Sequence, residues 1–292
     1  MLYRCGHSRK QRYHSAHRTW RMGNTIIITS KFMTYQTVLY SIIENVLTIS
    51  FNRPESYNAV NEQMKIELLD AFRKAEKDSA VRCIVLRGAG EKAFCSGQDL
   101  KEYQDNKSSM KVMLEKGYNP IIKQMRTMEK PIIGMINGVA AGAGFSFALA
   151  CDMRIMSEKA KLIQAFVRIG LVADSGSHWF LPRLVGTAKA FEFAATGKDI
   201  DAIEAKEVGL VNHVVPHADL EKVTYELAKK LATGATKAIG IIKRTLNKSL
   251  TMSFDELLSY EAMMQEIAAQ SYDHKEGVAA FIEKRSPKFE GK

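Results

Sequence analysis

One run narrows the fold more than any other: "INGVAAGAGFSFALACD", residues 136–152. The apolar stretch that leads into it, "KPIIGMING" (130–138), has the length and flanking glycine of a buried strand. The chain then bends through alanines and glycines and turns helical over "AGAGFSFALACDM" (141–153). A helix that opens on small residues leaves its first N–H groups unhindered and without intrahelical partners, and its dipole favours negative charge there. Tight packing of helix on strand asks for the same residues. A second bend, "KAFCSGQDL" (92–100), poses the same choice. Brought together, the two bends would aim two N–H donors at one oxygen, which is an oxyanion hole.

The surrounding pattern is α/β. "NVLTISFNRP" (45–54) alternates and ends in a turn, as a strand does. "NEQMKIELLDAFRKAEKD" (61–78) predicts an amphipathic helix capped by Asn61, with Met64, Leu68, Phe72 and Ala75 on one stripe. "VRCIVLRG" (81–88) predicts a buried strand. After residue 186 the signals are mostly helical, with "LVNHVVP" (210–216) a lone short strand. The chain divides into a basic leader (1–32), an α/β core (33–200) and a helical C-terminal region (201–292).

The net charge of +10 would suggest a nucleic-acid partner, but it is unevenly spread. Seven Lys or Arg and no acid lie in residues 1–32, which leaves 35 basic against 32 acidic residues in 33–292. A nearly balanced body argues against a nucleic-acid face. The leader reads as a transit peptide, as a basic arm, or as sequence upstream of the natural protein, and it is expected to be dispensable. No stretch approaches the ~20 apolar residues of a membrane span. The four cysteines (Cys5, Cys83, Cys95, Cys151) show no metal-ligand or disulfide spacing. A reducing compartment is expected, cytoplasmic, or the mitochondrial matrix if the leader is a transit peptide.

One acid stands apart. Asp174, in "GLVADSGSHWFLPRLVG" (170–186), has no charged residue in the five positions before it, and the next cation is Arg183. Such an acid caps the helix expected at 177–185 or works in an apolar pocket, where poor solvation raises its pKa.

Together these segments resemble the crotonase superfamily, the enoyl-CoA hydratases and isomerases, from about residue 35 to the C-terminus. "FNRPESYNAV" (51–60) is similar to its first CoA-contacting turn, and "AFCSGQDL" and "INGVAAGAG" to its two hole segments. "LPRLVG" (181–186), "EAKEVGLVNHVV" (204–215) and "EGVAAFIEKRSPKF" (276–289) come after them in the family's order. The resemblance implies a spiral of ββα units, a helical trimerisation region, and homotrimers or dimers of trimers. It implies a coenzyme A thioester as substrate, with no permanently bound cofactor and no metal. The thioester oxygen would sit between the backbone N–H groups of Gln98 and Ala143. CoA contacts are implied at Arg53, Ser56, Asn58 and Ala59, and along the hole segments at Ser96, Gly97, Asp99, Leu100 and Gly142. Phe281 and Lys284 would reach across a subunit interface. Phe145, Ser146, Phe166 and Trp179 are expected around the acyl group.

The sequence departs from the hydratases at two places. Where they carry two glutamates to handle a water, this chain has Ser146 and Phe166. Isomerases of the family can instead place a single acid in the stretch that holds Asp174. The resemblance thus implies an enoyl-CoA isomerase, nearest in its "GLVADSG" pattern to the ring-epoxide isomerases of phenylacetate degradation, with Asp174 as acid and base. Alternatives are a hydratase, a dehalogenase or hydrolase that uses Asp174 as nucleophile, and a non-catalytic acyl-CoA or RNA binder. The dehalogenase's histidine base has no counterpart in residues 101–130. Tyr118 lies in a segment the family uses as pocket wall and is a further acid candidate, while His178, one turn past Asp174, is read as satisfied or exposed.

Overall fold

Apolar strands covered on both faces organise the chain. The structure is a computed structural model that describes residues 15–18, 30–105 and 109–292. Its strands are β1 (Ser15–Arg18), β2 (Ser30–Thr34), β3 (Val38–Ile43), β4 (Val46–Phe51), β5 (Cys83–Gly88), β6 (Ala93–Cys95), β7 (Ile132–Ile136), β8 (Val139–Ala141), β9 (Met153–Ser157), β10 (Leu162–Ile163), β11 (Asp199–Ile200) and β12 (His213–Val215). The larger sheet runs β1-β2-β3-β4-β5-β7-β9-β12 and the smaller β11-β10-β8-β6. Each turn of the chain lays one strand in the larger sheet and the next in the smaller: β5 then β6, β7 then β8, β9 then β10. This is the expected ββα spiral.

Alternation along β5 divides the interior. Ile84 and Leu86 join the main core, while Cys83 and Val85 face a second cluster against Ala228 and Ala232 of the helix Leu220–Thr233. A parallel strand buried on both faces reads as a continuous apolar run, and "CIVL" does. The predicted helix spans Glu62–Lys77, with Asn61 accepting from Met64 N at 2.9 Å and Met64, Leu68, Phe72 and Ala75 all buried. C-terminal to β11 the described chain is helical apart from β12.

Two features go beyond the expectation. β1 pairs antiparallel with β2, and β2 with β3 from Lys31↔Ile42 to Thr34↔Leu39, so the boundary set at residue 32 falls inside a paired strand. The rest of the leader, Cys5 included, lies outside the described residues. Cys83, Cys95 and Cys151 are buried and free. No helix among the described residues is long and apolar enough to cross a membrane.

Candidate active site

The two small-residue bends meet because β6 and β8 pair in parallel, Ala93 with Val139 and Cys95 with Ala140. The segments after the two strands therefore emerge at the same end of the smaller sheet. After β8 the chain turns at Gly142 (φ +53) into the helix Ala143–Ala150. The close-packing reading of this run holds. Gly144 packs so closely that a Cβ there would lie 1.9 Å from the Cys95 carbonyl oxygen. Ala143, as the first helical residue, has an N–H with no intrahelical acceptor. After β6, Gly97 takes φ +100, and a Cβ there would stand 2.9 Å from Ala141 O and 3.4 Å from Ala143 N. Val60 N donates to Gly97 O (2.7 Å) and Asp99 N to Val60 O (2.9 Å). In such a bridge the intervening residue directs its own N–H to the opposite side, so the Gln98 N–H turns away from Val60.

The turn at 53–60 is sewn to this bend. Ser96 N donates to Tyr57 O at 3.1 Å, and Arg53 Nη1 donates to both Ala59 O and Asp99 Oδ2 at 2.8 Å. Asp99 Oδ1 accepts from Lys101 N and Glu102 N at the start of the helix Leu100–Asp105. Burial opposes ionisation of Asp99, but the bonds from Arg53 and these amides outweigh it and hold the carboxyl below its ordinary range. Asn58, fully buried, donates to Ala89 O and Ala93 O and accepts from Arg53 N. The Ser56 hydroxyl donates to Arg53 O. Asn58 thus ties the turn together from inside, and Ala59 is buried with it.

A cavity of about 270 Å³ opens beside the bends. Ser96, Gly97, Gln98, Leu100, Gly142, Ala143, Phe166 and Asp174 line it, with Met113, Tyr118 and Leu171 among the others. A larger groove, about 950 Å³, lies between the first hairpin and the helix Leu220–Thr233. Size does not select between them; of the two, the smaller is the one lined by Gln98, Ala143 and Asp174.

Asp174 is not a helix cap. The helix Ser177–Val185 begins after Gly176 with no side-chain cap, and the Asp174 carboxylate accepts from Ser175 Oγ at 2.8 Å. Its backbone carbonyl takes Ser177 N (2.9 Å) and the Ser146 hydroxyl (3.2 Å). Burial raises the Asp174 pKa, and the Ser175 bond and His178 only partly offset it.

Five predicted residues lie elsewhere. Phe145 is fully buried in the main core, because the helix Ala143–Ala150 is apolar on every side and all of it is enclosed. Ser146 is also fully buried, sharing a 2.7 Å hydroxyl bond with Ser177. Trp179 is 40% exposed and stacks under Arg183, 3.5 Å from ring centroid to guanidinium carbon. Phe281, 86% exposed, and Lys284 lie on and just after the C-terminal helix Tyr272–Ile282 and do not line the cavity of their own chain. His178 is exposed. The sequence did not reveal the bond from Tyr118 Oη to Gln98 Oε1 (2.6 Å), nor the serine pair that joins the Ala143 helix to the Asp174 turn.

Residues 41–292 match the family described as enoyl-CoA hydratase/isomerase. The chain belongs to that family. It is 38% identical over 259 residues to a 1,2-epoxyphenylacetyl-CoA isomerase of Escherichia coli, covering 87% of this chain and 98% of the relative. It is 39% identical over 260 residues to a probable enoyl-CoA hydratase of Rhodobacter capsulatus, covering 89% and 100%. A crystal structure of an enoyl-CoA hydratase/isomerase from Mycobacterium abscessus superposes with a TM-score of 0.83 at 37% identity, covering 87% of this chain and 100% of the other. The fold is the mixed α/β crotonase fold, and the protein is an enzyme of the enoyl-CoA hydratase/isomerase family.

Proposed function

We propose that the protein isomerises an enoyl-CoA, shifting a double bond or rearranging a ring through an enolate. One observation carries this reading: a half-buried acid of raised pKa, Asp174, lines the same cavity as Gln98 and Ala143, whose backbone N–H groups are the proposed donors. The thioester oxygen sits between those two donors, which stabilise the charge that develops when a neighbouring carbon loses its proton. Asp174 takes a proton from the α- or γ-carbon and returns it to the other. The electron pair moves through the enolate, so atoms and charge balance without a co-reactant. A carboxyl in poorly solvated surroundings has a pKa suited to both steps.

Water activation lacks its groups. Phe166 is on the cavity wall and Ser146 is spent on Ser177, Gly142 O and Asp174 O. Neither supplies the carboxylate pair that would handle a water. The relative named for a phenylacetyl-CoA epoxide makes a ring-bearing acyl group a fitting substrate class. The CoA chain would run past Arg53, Ser56 and Ala59, with Phe281 and Lys284 of a neighbouring subunit adding contacts. Exposed apolar side chains on the C-terminal helices, Phe254, Leu246 and Phe281 among them, support a trimer or a dimer of trimers. A cytoplasmic enzyme without a bound cofactor completes the reading.

With crotonyl-CoA, hydration is expected to fall far below the ~10 per second of ordinary enzymes. Product mass is the check on a panel of enoyl-CoAs. Isomerisation leaves mass unchanged and hydration adds one water; efficient hydration would sink the isomerase reading.

A further inference from the structure

Between the helices Met110–Met113 and Asn119–Thr127 the chain makes one widened, π-helical turn, Leu114–Tyr118. Such turns are rare and concentrate at functional sites, because the extra residue re-aims the side chains around it. Here the turn ends on Tyr118, which is 1% exposed yet lines the acyl cavity. Its hydroxyl is 2.6 Å from Gln98 Oε1, and Gln98 Nε2 donates to Asp99 O at 3.2 Å. The partners set the amide orientation: the Asp99 carbonyl requires an N–H, so the amide oxygen faces Tyr118, which must donate. Behind the ring stands Lys65, 2% exposed, with its ammonium 4.9 Å from the ring centroid.

We infer that Tyr118 is a positioning residue: by fixing the Gln98 side chain against the cavity wall, it braces the Gln98 peptide that the Val60 bridge orients, and with it one donor of the oxyanion hole. The inference rests on the enolate reading above. Gln98 is a single residue between Gly97, whose carbonyl accepts from Val60 N, and Asp99, held by Val60 O, by Arg53 and by the helix it caps. That bridge holds the peptide on the side of Val60; the side chain is the handle on the side of the cavity, and both ends of its amide are engaged. Without Tyr118 that amide is released toward the cavity and the peptide keeps only its bonds to Val60. Tyr118 does not act as a proton carrier. Its proton is committed to Gln98, and burial above all pushes the phenol well above its ordinary range.

The test is a double-mutant cycle with a spectroscopic readout. Tyr118→Phe removes one oxygen and keeps the ring against Lys65. It is expected to lower kcat about tenfold or more, with KM within about twofold, because displacing a transition-state contact acts on kcat. In a Gln98→Met background, which keeps the backbone N–H, the same change is expected to cost less than about twofold. A bound CoA thioester with an extended conjugated acyl group reports polarisation directly, since its absorption moves to longer wavelength when the carbonyl oxygen is hydrogen-bonded. Wild type is expected to shift it and Tyr118→Phe to shift it less. An equal loss of rate in both backgrounds assigns Tyr118 to the chemistry itself and overturns the positioning role. Unchanged turnover and an unchanged shift in Tyr118→Phe overturn it while leaving the enolate reading intact. A wild-type protein that produces no shift overturns both. If Tyr118→Phe does not fold, Gln98→Met alone carries the test: a wild-type rate and shift in that variant overturn the inference.

Discussion

Replacing Asp174 by asparagine is expected to lower isomerisation by ~10²–10⁴ while leaving acyl-CoA affinity near wild type, the range for losing a general base. The carboxamide has nearly the same shape and can still accept from Ser175 Oγ. It cannot carry a proton from one carbon to another. The proposed CoA contacts and the Gln98 and Ala143 N–H groups lie on other segments, so binding survives. Kinetics on one enoyl-CoA, with titration of a non-reactive acyl-CoA, separate the two quantities. Solvent deuterium should cease to enter the α- and γ-carbons. Near wild-type turnover in the variant would retire the assignment.

Stability makes the same substitution more discriminating. The folded protein holds the Asp174 proton to higher pH than the unfolded chain does, because burial raises the folded pKa. The stability this confers is complete below the unfolded pKa, about 3.9, and is lost as pH rises through the folded value. At neutral pH the ionised carboxylate is thus a cost to the fold. Asp174→Asn removes that cost, so its Tm should equal or exceed that of wild type at neutral pH, with the advantage shrinking in acid. A helix cap would behave in the opposite way, losing about 1 kcal/mol on substitution. Wild-type kcat/KM should rise with pH through a value above the ordinary carboxylate range, since the base must be ionised to act.

The parts legible in the sequence were those governed by local rules. Asn61 announced its helix because an N-cap and an apolar stripe are local. The bends at 96–99 and 142–143 were legible because few other residues tolerate such backbones, and Asp174 because an acid without charged neighbours is conspicuous. Side-chain direction was not legible where the pattern carried no phase. Phe145 and Phe166 both come after small residues, but the helix bearing Phe145 is apolar all round, so nothing in its sequence marks a face. Trp179 turns outward to Arg183 by tertiary arrangement. Tyr118 depends on a π-turn, which changes the helical phase by a residue that periodicity counting does not foresee. The pairing of β1 with β2 crosses a segment whose basic composition suggested no strand.

Gly97→Ala is the complementary expectation, acting on the hole as Asp174→Asn acts on the base. Alanine there meets two obstacles. At φ +100 an L side chain is strained, which costs about 1–3 kcal/mol. Its Cβ would also stand 2.9 Å from Ala141 O and 3.4 Å from Ala143 N, so the backbone on one side must move. Movement by a few tenths of an ångström separates the two proposed donors or fills the space between them. The loss of one such donor is worth ~10²–10³ in rate, and a comparable fall in kcat is expected. Strain alone could lower activity by unfolding the protein, and Gly186→Ala controls for that. Gly186 has φ +78 and nothing within 4 Å of its would-be Cβ. It joins the helices Ser177–Val185 and Thr187–Thr196, outside the cavity lining. It should lose stability with little change in kcat at a temperature where both variants are folded. Equal kcat in Gly97→Ala and Gly186→Ala would show that the close approach of the two bends plays no part in the reaction.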